Sequence, residues 1–116
     1  MKFVNRCVVS LKPKQPFIDW ATGLGTELPE DWSLEGGAYF LDEQETEEGI
    51  HQIVAHHAVD MFENELSAWE EDHGRWPEKR DIDALKEWFD LHISVAGFDI
   101  GEESLMTADL ADLEVM

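Results

Sequence analysis

The segment FVNRCVVSL, residues 3–11, constrains the fold of this chain more than any other. It is rich in β-branched residues and is followed closely by Pro13, which is typical of a β-strand. Successive side chains of a strand point to opposite faces, so one largely apolar face needs a second layer to cover it. The two predicted faces are Phe3, Asn5, Cys7, Val9 and Leu11, and Val4, Arg6, Val8 and Ser10.

A helix is predicted directly after this strand. Pro16 suits the first turn of a helix, and apolar side chains recur at helical spacing from Phe17 to Leu24. The same criteria predict a strand at 38–42, a long helix at about 46–72, a helix at about 81–90 capped by Asp81, and a strand at 91–100.

The predicted order β-α-β-α-α-β indicates an α+β fold of two layers, in which a small three-stranded sheet packs against three helices. We expect the first and third strands to form the central pair. A chain of 116 residues fits a single domain, predicted at 1–100, and 101–116 is predicted to be an acidic tail or short helix. Cys7, the only cysteine, lies in an apolar run and is expected to be buried.

Acidic residues far outnumber basic residues in this chain. There are 27 Asp and Glu against 8 Lys and Arg, which gives a net charge of −19. This balance excludes generic nucleic-acid binding through phosphates and disfavours docking on anionic lipid. It favours a basic protein partner. No segment approaches the ~20 apolar residues of a membrane span, so we expect a cytoplasmic protein without a membrane segment. A homodimer is a further expectation, because a three-stranded sheet leaves edges to cover.

Four segments of the chain form a distinctive set: NRCVVSLKPKQPFIDW (5–20), ENELSAW (63–69), RWPEKR (75–80) and LKEWFDLHISVAGFDI (85–100). Together they resemble a family of small, acidic, largely uncharacterised bacterial proteins with an N-terminal NRxxxxxKPKQPFxDW pattern and a later KEWF segment. The resemblance covers residues from about 3 to 100. It implies one whole domain and brings no activity, cofactor or catalytic residue with it.

The histidine-rich stretch EEGIHQIVAHHAVD (47–60) contains candidate metal ligands. Glu48 and His51 form half of a Glu-x-x-His motif that di-iron bundles use twice, and no second copy occurs. His56 and Asp60 share a helical face, whereas His51 and His56 diverge by roughly 140°. The candidate ligands are therefore His51, His56 and Asp60, without a third ligand that converges with the last two.

Positive charge is concentrated near the start of the chain, at Arg6, Lys12 and Lys14. The unpaired N–H groups of the helix that begins near Pro16 face the same loop, so a phosphate or carboxylate could bind there. The alternative is that these side chains compensate the acids of the protein itself.

Motifs of catalysis are absent from the sequence, which contains no G-x-S-x-G, no Walker-type loop and no G-x-G-x-x-G. We therefore predict no catalytic residue and no cofactor. The leading hypothesis is a non-enzymatic acidic interaction or regulatory module that binds a basic partner surface, of which a DNA mimic is a special case. The alternative is a small-ligand or enzymatic domain that uses the basic segment 6–17 to bind phosphate or carboxylate.

Overall fold

The computed structural model describes residues 1–114, and the α+β class predicted from the sequence is confirmed. Short 3-10 turns lie at Trp32–Leu34 and His73–Arg75. The described helices and strands are β1 (Lys2–Val4), β2 (Arg6–Pro13), α1 (Gln15–Gly23), β3 (Ala38–Asp42), α2 (Glu47–His56), α3 (Ala58–Ser67), α4 (Ile82–Trp88), β4 (Phe89–Ser94), β5 (Gly97–Asp99) and α5 (Leu110–Glu114).

The strands form two antiparallel sheets. The larger has the order β3-β2-β4, and β1 pairs with β5 in a two-stranded ribbon. The expected pairing of the first and third predicted strands is confirmed by β2 and β4. The segments 3–11 and 91–100, each predicted as one strand, are divided by bends at Asn5 and Val95. Because β1 and β5 leave the main sheet together, they keep their main-chain groups paired with each other.

Alternation along β2 places Cys7, Val9 and Leu11 on the covered face of the sheet, each at most 2% exposed. Cys7 is buried as predicted, and its Sγ lies 3.7 Å from the carbonyl oxygen of Leu41. Phe3 was assigned to the same face, but it lies beyond the bend and is 59% exposed. The apolar layer predicted for this strand therefore begins at β2.

Two helices replace the single helix predicted at 46–72. The Thr46 hydroxyl accepts a hydrogen bond from the Gly49 N–H at 2.9 Å and caps α2. His57 then interrupts the helical backbone with φ −99° and ψ 8°, although its carbonyl still accepts from the Met61 N–H. The apolar periodicity continues across this one-residue break, which explains why the sequence predicts one helix.

Aromatic side chains fill the core between the sheet and the helices. Phe17 of α1 is 1% exposed and is surrounded by five aromatic rings at centroid distances from 4.9 to 6.4 Å. Asp81 caps α4 as predicted, by accepting from the Ala84 N–H at 2.9 Å. The helix predicted at 81–90 ends at Trp88, because Phe89 reaches the core as the first residue of β4. The rings around Phe17 belong to Trp20, Trp32, Trp69, Trp88 and Phe89.

The segment after β5 runs as irregular, exposed chain to the short helix α5. The apolar side chains of this segment, Leu105, Met106, Leu110 and Leu113, are all exposed by about half or more. Residues 115 and 116 of the predicted tail lie outside the described residues. Among residues 1–114, no helix has both the length and the apolar character required to cross a membrane.

Candidate functional site

A groove lies between β3, an edge strand, and α3. Its larger lobe has a volume of about 650 Å³ and is lined by residues 39–42 of β3, by Met61 and by Trp76, among others. A smaller lobe of about 420 Å³ shares Asn64 and Ser67 with it, so the two are adjacent. We call both lobes together the β3–α3 groove. Because four consecutive strand residues line it, although their side chains alternate between the two faces of the sheet, the groove follows the open edge of β3.

Tyr39, Asn64 and Glu65 form a hydrogen-bonded cluster in this groove. The Tyr39 hydroxyl donates a short hydrogen bond to Oε2 of Glu65, and Nδ2 of Asn64 donates to the Tyr39 hydroxyl at 3.0 Å. The Gly37 N–H donates to both carboxylate oxygens of Glu65, at 3.2 and 3.3 Å. The cluster therefore ties the beginning of β3 to α3.

Burial changes the titration of both acids in the cluster. It is the largest cause that raises the pKa of Glu65, and the hydrogen bonds from Tyr39 and Gly37 offset part of this effect. Burial, followed by the hydrogen bond to Glu65, also raises the pKa of the Tyr39 phenol. The phenol therefore stays protonated at neutral pH and acts as the hydrogen-bond donor to the Glu65 carboxylate. A half-buried carboxyl with a raised pKa beside a groove is typical of functional sites.

The raised pKa of Glu65 predicts a pH-dependent effect of Glu65→Gln on stability. Between the ordinary pKa of 4.5 and the raised value, the folded chain binds more protons at this carboxyl than the unfolded chain does. The free energy of unfolding that this group contributes is therefore highest at low pH and falls as pH rises through that window. Glutamine keeps an oxygen acceptor without the charge, so we expect the variant to gain stability relative to the parent as pH rises above 4.5.

Urea unfolding at a series of pH values measures this difference. Tyr39→Phe is the matched control, because it leaves the Glu65 carboxylate with one hydrogen-bond donor fewer. That variant is expected to lose stability near neutral pH and to lose less below the ordinary pKa of Glu65. Stability curves that stay parallel for the parent and Glu65→Gln at every pH would contradict the assigned cause.

The walls of the groove are acidic. Three of the acids have a neighbouring basic group. Arg80 Nε lies 3.3 Å from Glu63 Oε2, and His57 Nδ1 lies 3.7 Å from Asp60 Oδ2. Arg6 Nε lies 3.9 Å from Asp42 Oδ1. Among the described residues, no lysine or arginine lines either lobe. A cationic group that entered the groove would therefore meet attraction from several sides. The lining acids are Glu35, Asp42, Asp60, Glu63 and Glu65.

Two residues whose apolar side chains are exposed also line the groove. Phe40 of β3 is 55% exposed, and Leu110, the first residue of α5, is 60% exposed. Leu110 borders both lobes, so the C-terminal segment of the chain reaches the groove. The groove thus combines acidic walls with apolar surface that water still contacts.

Two of the three predicted anion ligands lie opposite aspartates on neighbouring strands. Arg6 is in register with Asp42, and its Nε lies 3.9 Å from Asp42 Oδ1. Lys12 is in register with Asp90, and its Nζ lies 3.4 Å from the carbonyl oxygen of Glu35. Arg6 and Lys12 are six positions apart on β2, which separates their Cα atoms by about 20 Å. The strand therefore does not bring them to one point.

Lys14, the third predicted anion ligand, contacts the end of α4. Its Nζ donates to the carbonyl oxygen of Lys86 at 3.1 Å, and its main-chain N–H donates to that of Trp88 at 2.8 Å. Both are terminal carbonyl groups of α4, where a positive charge is favourable. The three cations thus have acceptors of the protein itself beside them, and an external anion at this segment stays a prediction.

The predicted metal ligands lie along α2 and the start of α3. His51 Nε2 lies 3.8 Å from Glu47 Oε1, and the ring of His56 lies edge-on to that of His57 at 4.9 Å. Asp60 pairs with His57 and not with His56. The break at His57 changes the helical spacing on which the predicted pair depended. Among residues 1–114, no three His, Cys, Asp or Glu side chains are grouped as metal ligands would be.

None of the site residues predicted from the sequence is Tyr39, Asn64 or Glu65, although one of these three carries a sequence signal. Glu65 falls at helical spacing from Ala58 and Met61, which are buried on the covered face of α3. A glutamate inside an apolar stripe needs hydrogen-bond donors from another element. Tyr39 supplies one from β3, and the pairing of these two residues is visible only in the folded chain.

Comparison of the chain with known protein families, with curated proteins and with solved structures gives no match. The family resemblance noted in the sequence therefore stays a prediction.

Proposed function

We propose that this chain is a non-enzymatic interaction module, and that its β3–α3 groove binds a basic, partly apolar segment of a partner protein. The observation that carries the proposal is the lining of the groove, where acidic side chains surround exposed apolar surface beside an open strand edge. The net charge of −19 supports the same class of partner.

Charge gives the groove its preference for a cationic segment. Asp60 is exposed and its nearest basic group is His57, which is positive only when protonated. An incoming lysine or arginine can therefore pair with Asp60 without displacing a permanent cation. Phe40 and Leu110 offer apolar contact beside this charge. A segment that alternates basic and apolar side chains matches both features.

The edge of β3 gives the partner segment a main-chain template. β3 is hydrogen-bonded to β2 on one side, and its other side borders the groove. An extended peptide that adds to such an edge gains main-chain hydrogen bonds, while the side chains around the edge set the specificity. Residues 39–42 are the part of the strand that lines the groove, so they define the length of edge available to the partner.

Binding of a short fluorescent peptide that alternates lysine with valine tests this proposal by anisotropy. We expect saturable binding that weakens as salt is added, because salt screens exposed charges. A peptide that alternates glutamate with valine is expected not to bind. Asp60→Lys reverses one charge in the groove and is expected to weaken binding by about tenfold, equivalent to about 1.4 kcal/mol.

Asp83→Lys is the matched control. Asp83 is also an exposed acid in the first turn of a helix, α4, but it does not line the groove. The two variants change the net charge and the helix terminus in the same way. Equal loss of affinity in both would show that the peptide senses only the overall charge, and would overturn the assignment of the groove.

A further inference from the structure

The ribbon of β1 and β5 carries an apolar face that the groove does not involve. Phe3 lies directly opposite Phe98, with ring centroids 6.0 Å apart in an edge-on arrangement. Met1 and Ile100 adjoin this pair, each two residues from one of the phenylalanines and one residue beyond the end of its strand. All four side chains are more than half exposed: Met1 85%, Phe3 59%, Phe98 63% and Ile100 76%. We call these four side chains the ribbon face.

The other side of the ribbon is turned towards the main sheet. A Cβ atom built on Gly97 would lie 3.3 Å from Cγ2 of Val8, a central-strand residue, and 4.0 Å from Cβ of Val4. Val4 and Gly97 are half-buried there. The ribbon therefore rests on the outer surface of the sheet with one side and presents the ribbon face to solvent with the other.

The ribbon face has no charged side chain, although the chain as a whole carries −19. Lys2 and Asp99 alternate to the other side of the ribbon. They lie in register with each other, so their opposite charges offset locally. A basic segment of the kind proposed for the groove finds no carboxylate on this face. The apolar side chains of the ribbon face instead suit another apolar surface.

The area of the ribbon face is close to what a stable dimer needs. With ~150–250 Å² for a large side chain, the four exposed fractions leave about 500 Å² of accessible surface on one copy. Two such faces packed together bury at most about 1,000 Å², the value that a specific interface is expected to reach. A two-fold pairing uses the same patch on both copies, so the pre-formed aromatic pair is present on each side.

We propose that the ribbon face is the interface of a homodimer, and that its occupant is a second copy of this chain. The four side chains of the contact are uncharged, whereas each copy brings a net charge of −19. Repulsion between the copies therefore opposes the dimer and is screened by salt. Salt strengthens this association, which is the opposite of its effect on a basic peptide in the groove.

Sedimentation equilibrium of the full chain over a range of concentrations and salt tests the proposal. We expect a monomer–dimer equilibrium that shifts towards dimer as salt is added, and a dissociation constant at least about tenfold weaker for Phe98→Ser. Leu34→Ser is the matched control, because Leu34 is 79% exposed on a 3-10 turn outside the ribbon, and its dimer is expected to be unchanged. Ile100→Glu, on a side chain that is 76% exposed, is a second variant that adds repulsion without touching the core.

A monomer at every concentration and salt would overturn the proposal. A dimer that persists in both Phe98→Ser and Ile100→Glu, with unchanged circular dichroism, would also overturn it. Binding of the monomer to neutral phosphatidylcholine vesicles through the same residues would assign the face to lipid instead. Peptide binding in the groove is expected to survive in Phe98→Ser, so failure of the dimer and failure of the proposed function are separate results.

Discussion

Phe17→Ala is expected to lower the free energy of unfolding by about 3–5 kcal/mol, the range for loss of a buried phenylalanine. Phe17 of α1 is 1% exposed. Its ring packs against Trp20 of the same helix, Trp88 of α4 and Phe89 of β4. Most of these neighbours are themselves large rings held by other contacts, so they cannot close the cavity. The loss includes both the transfer of the ring from water and the cavity that remains.

Thermal unfolding followed by tryptophan fluorescence measures this effect, because four of the five rings around Phe17 are tryptophans. Each kcal/mol corresponds to a shift of roughly 3–6 °C in Tm for a domain of this size. Phe40→Ala is the matched control: its side chain is 55% exposed, and we expect a loss below about 1 kcal/mol. Similar shifts for both variants would contradict the central position of Phe17.

Gly36→Ala is expected to lower the free energy of unfolding by about 2–4 kcal/mol, because two penalties act at this position. The backbone of Gly36 has φ +94°, which costs roughly 1–2 kcal/mol for a residue with a Cβ atom. That Cβ would also overlap the carbonyl oxygen of Leu11. Leu11 belongs to the central strand β2, and its N–H donates to the Gly37 carbonyl at 3.0 Å. Neither partner can move without losing hydrogen bonds.

Gly23→Ala provides the control for Gly36→Ala. Gly23 ends α1, has no positive φ, and a Cβ there meets no atom within 4 Å. The alanine variant is therefore expected to be neutral or to gain up to about 1 kcal/mol. Urea unfolding of both variants gives the comparison, and equal stability of Gly36→Ala and the parent would contradict the close approach to Leu11.

The predicted α+β class followed from local patterns that survive in the folded chain. Cys7, Val9 and Leu11 alternate along one strand, and Asp81 has the spacing of a helix cap. The divisions at Asn5 and His57 have no such pattern, because apolar residues resume at the same spacing beyond each of them. The division at Asn5 accompanies a tertiary contact, the pairing of β1 with β5, which no local spacing encodes.

The candidate groove was less accessible to sequence analysis than the fold. It exists because an edge strand and α3 lie side by side, and no local spacing encodes that placement. Lys12 and Lys14 were predicted as anion ligands because cations are rare in this chain. Both side chains instead contact carbonyl groups of the protein. Glu65 was the stronger signal, since a carboxyl among buried residues of α3 requires a donor from elsewhere.

The central position of β2 has a consequence for how the chain folds. Val8 lies opposite Ser94, so the ladder between β2 and β4 cannot close until residue 94 has been synthesised. Pairing between such distant positions is slow, because the intervening chain loses conformational entropy before the contacts form. Until then, one edge of β2 lacks its hydrogen-bond partner and is able to pair with other chains. The net charge of −19 opposes such contacts between copies of the chain, because like charges repel.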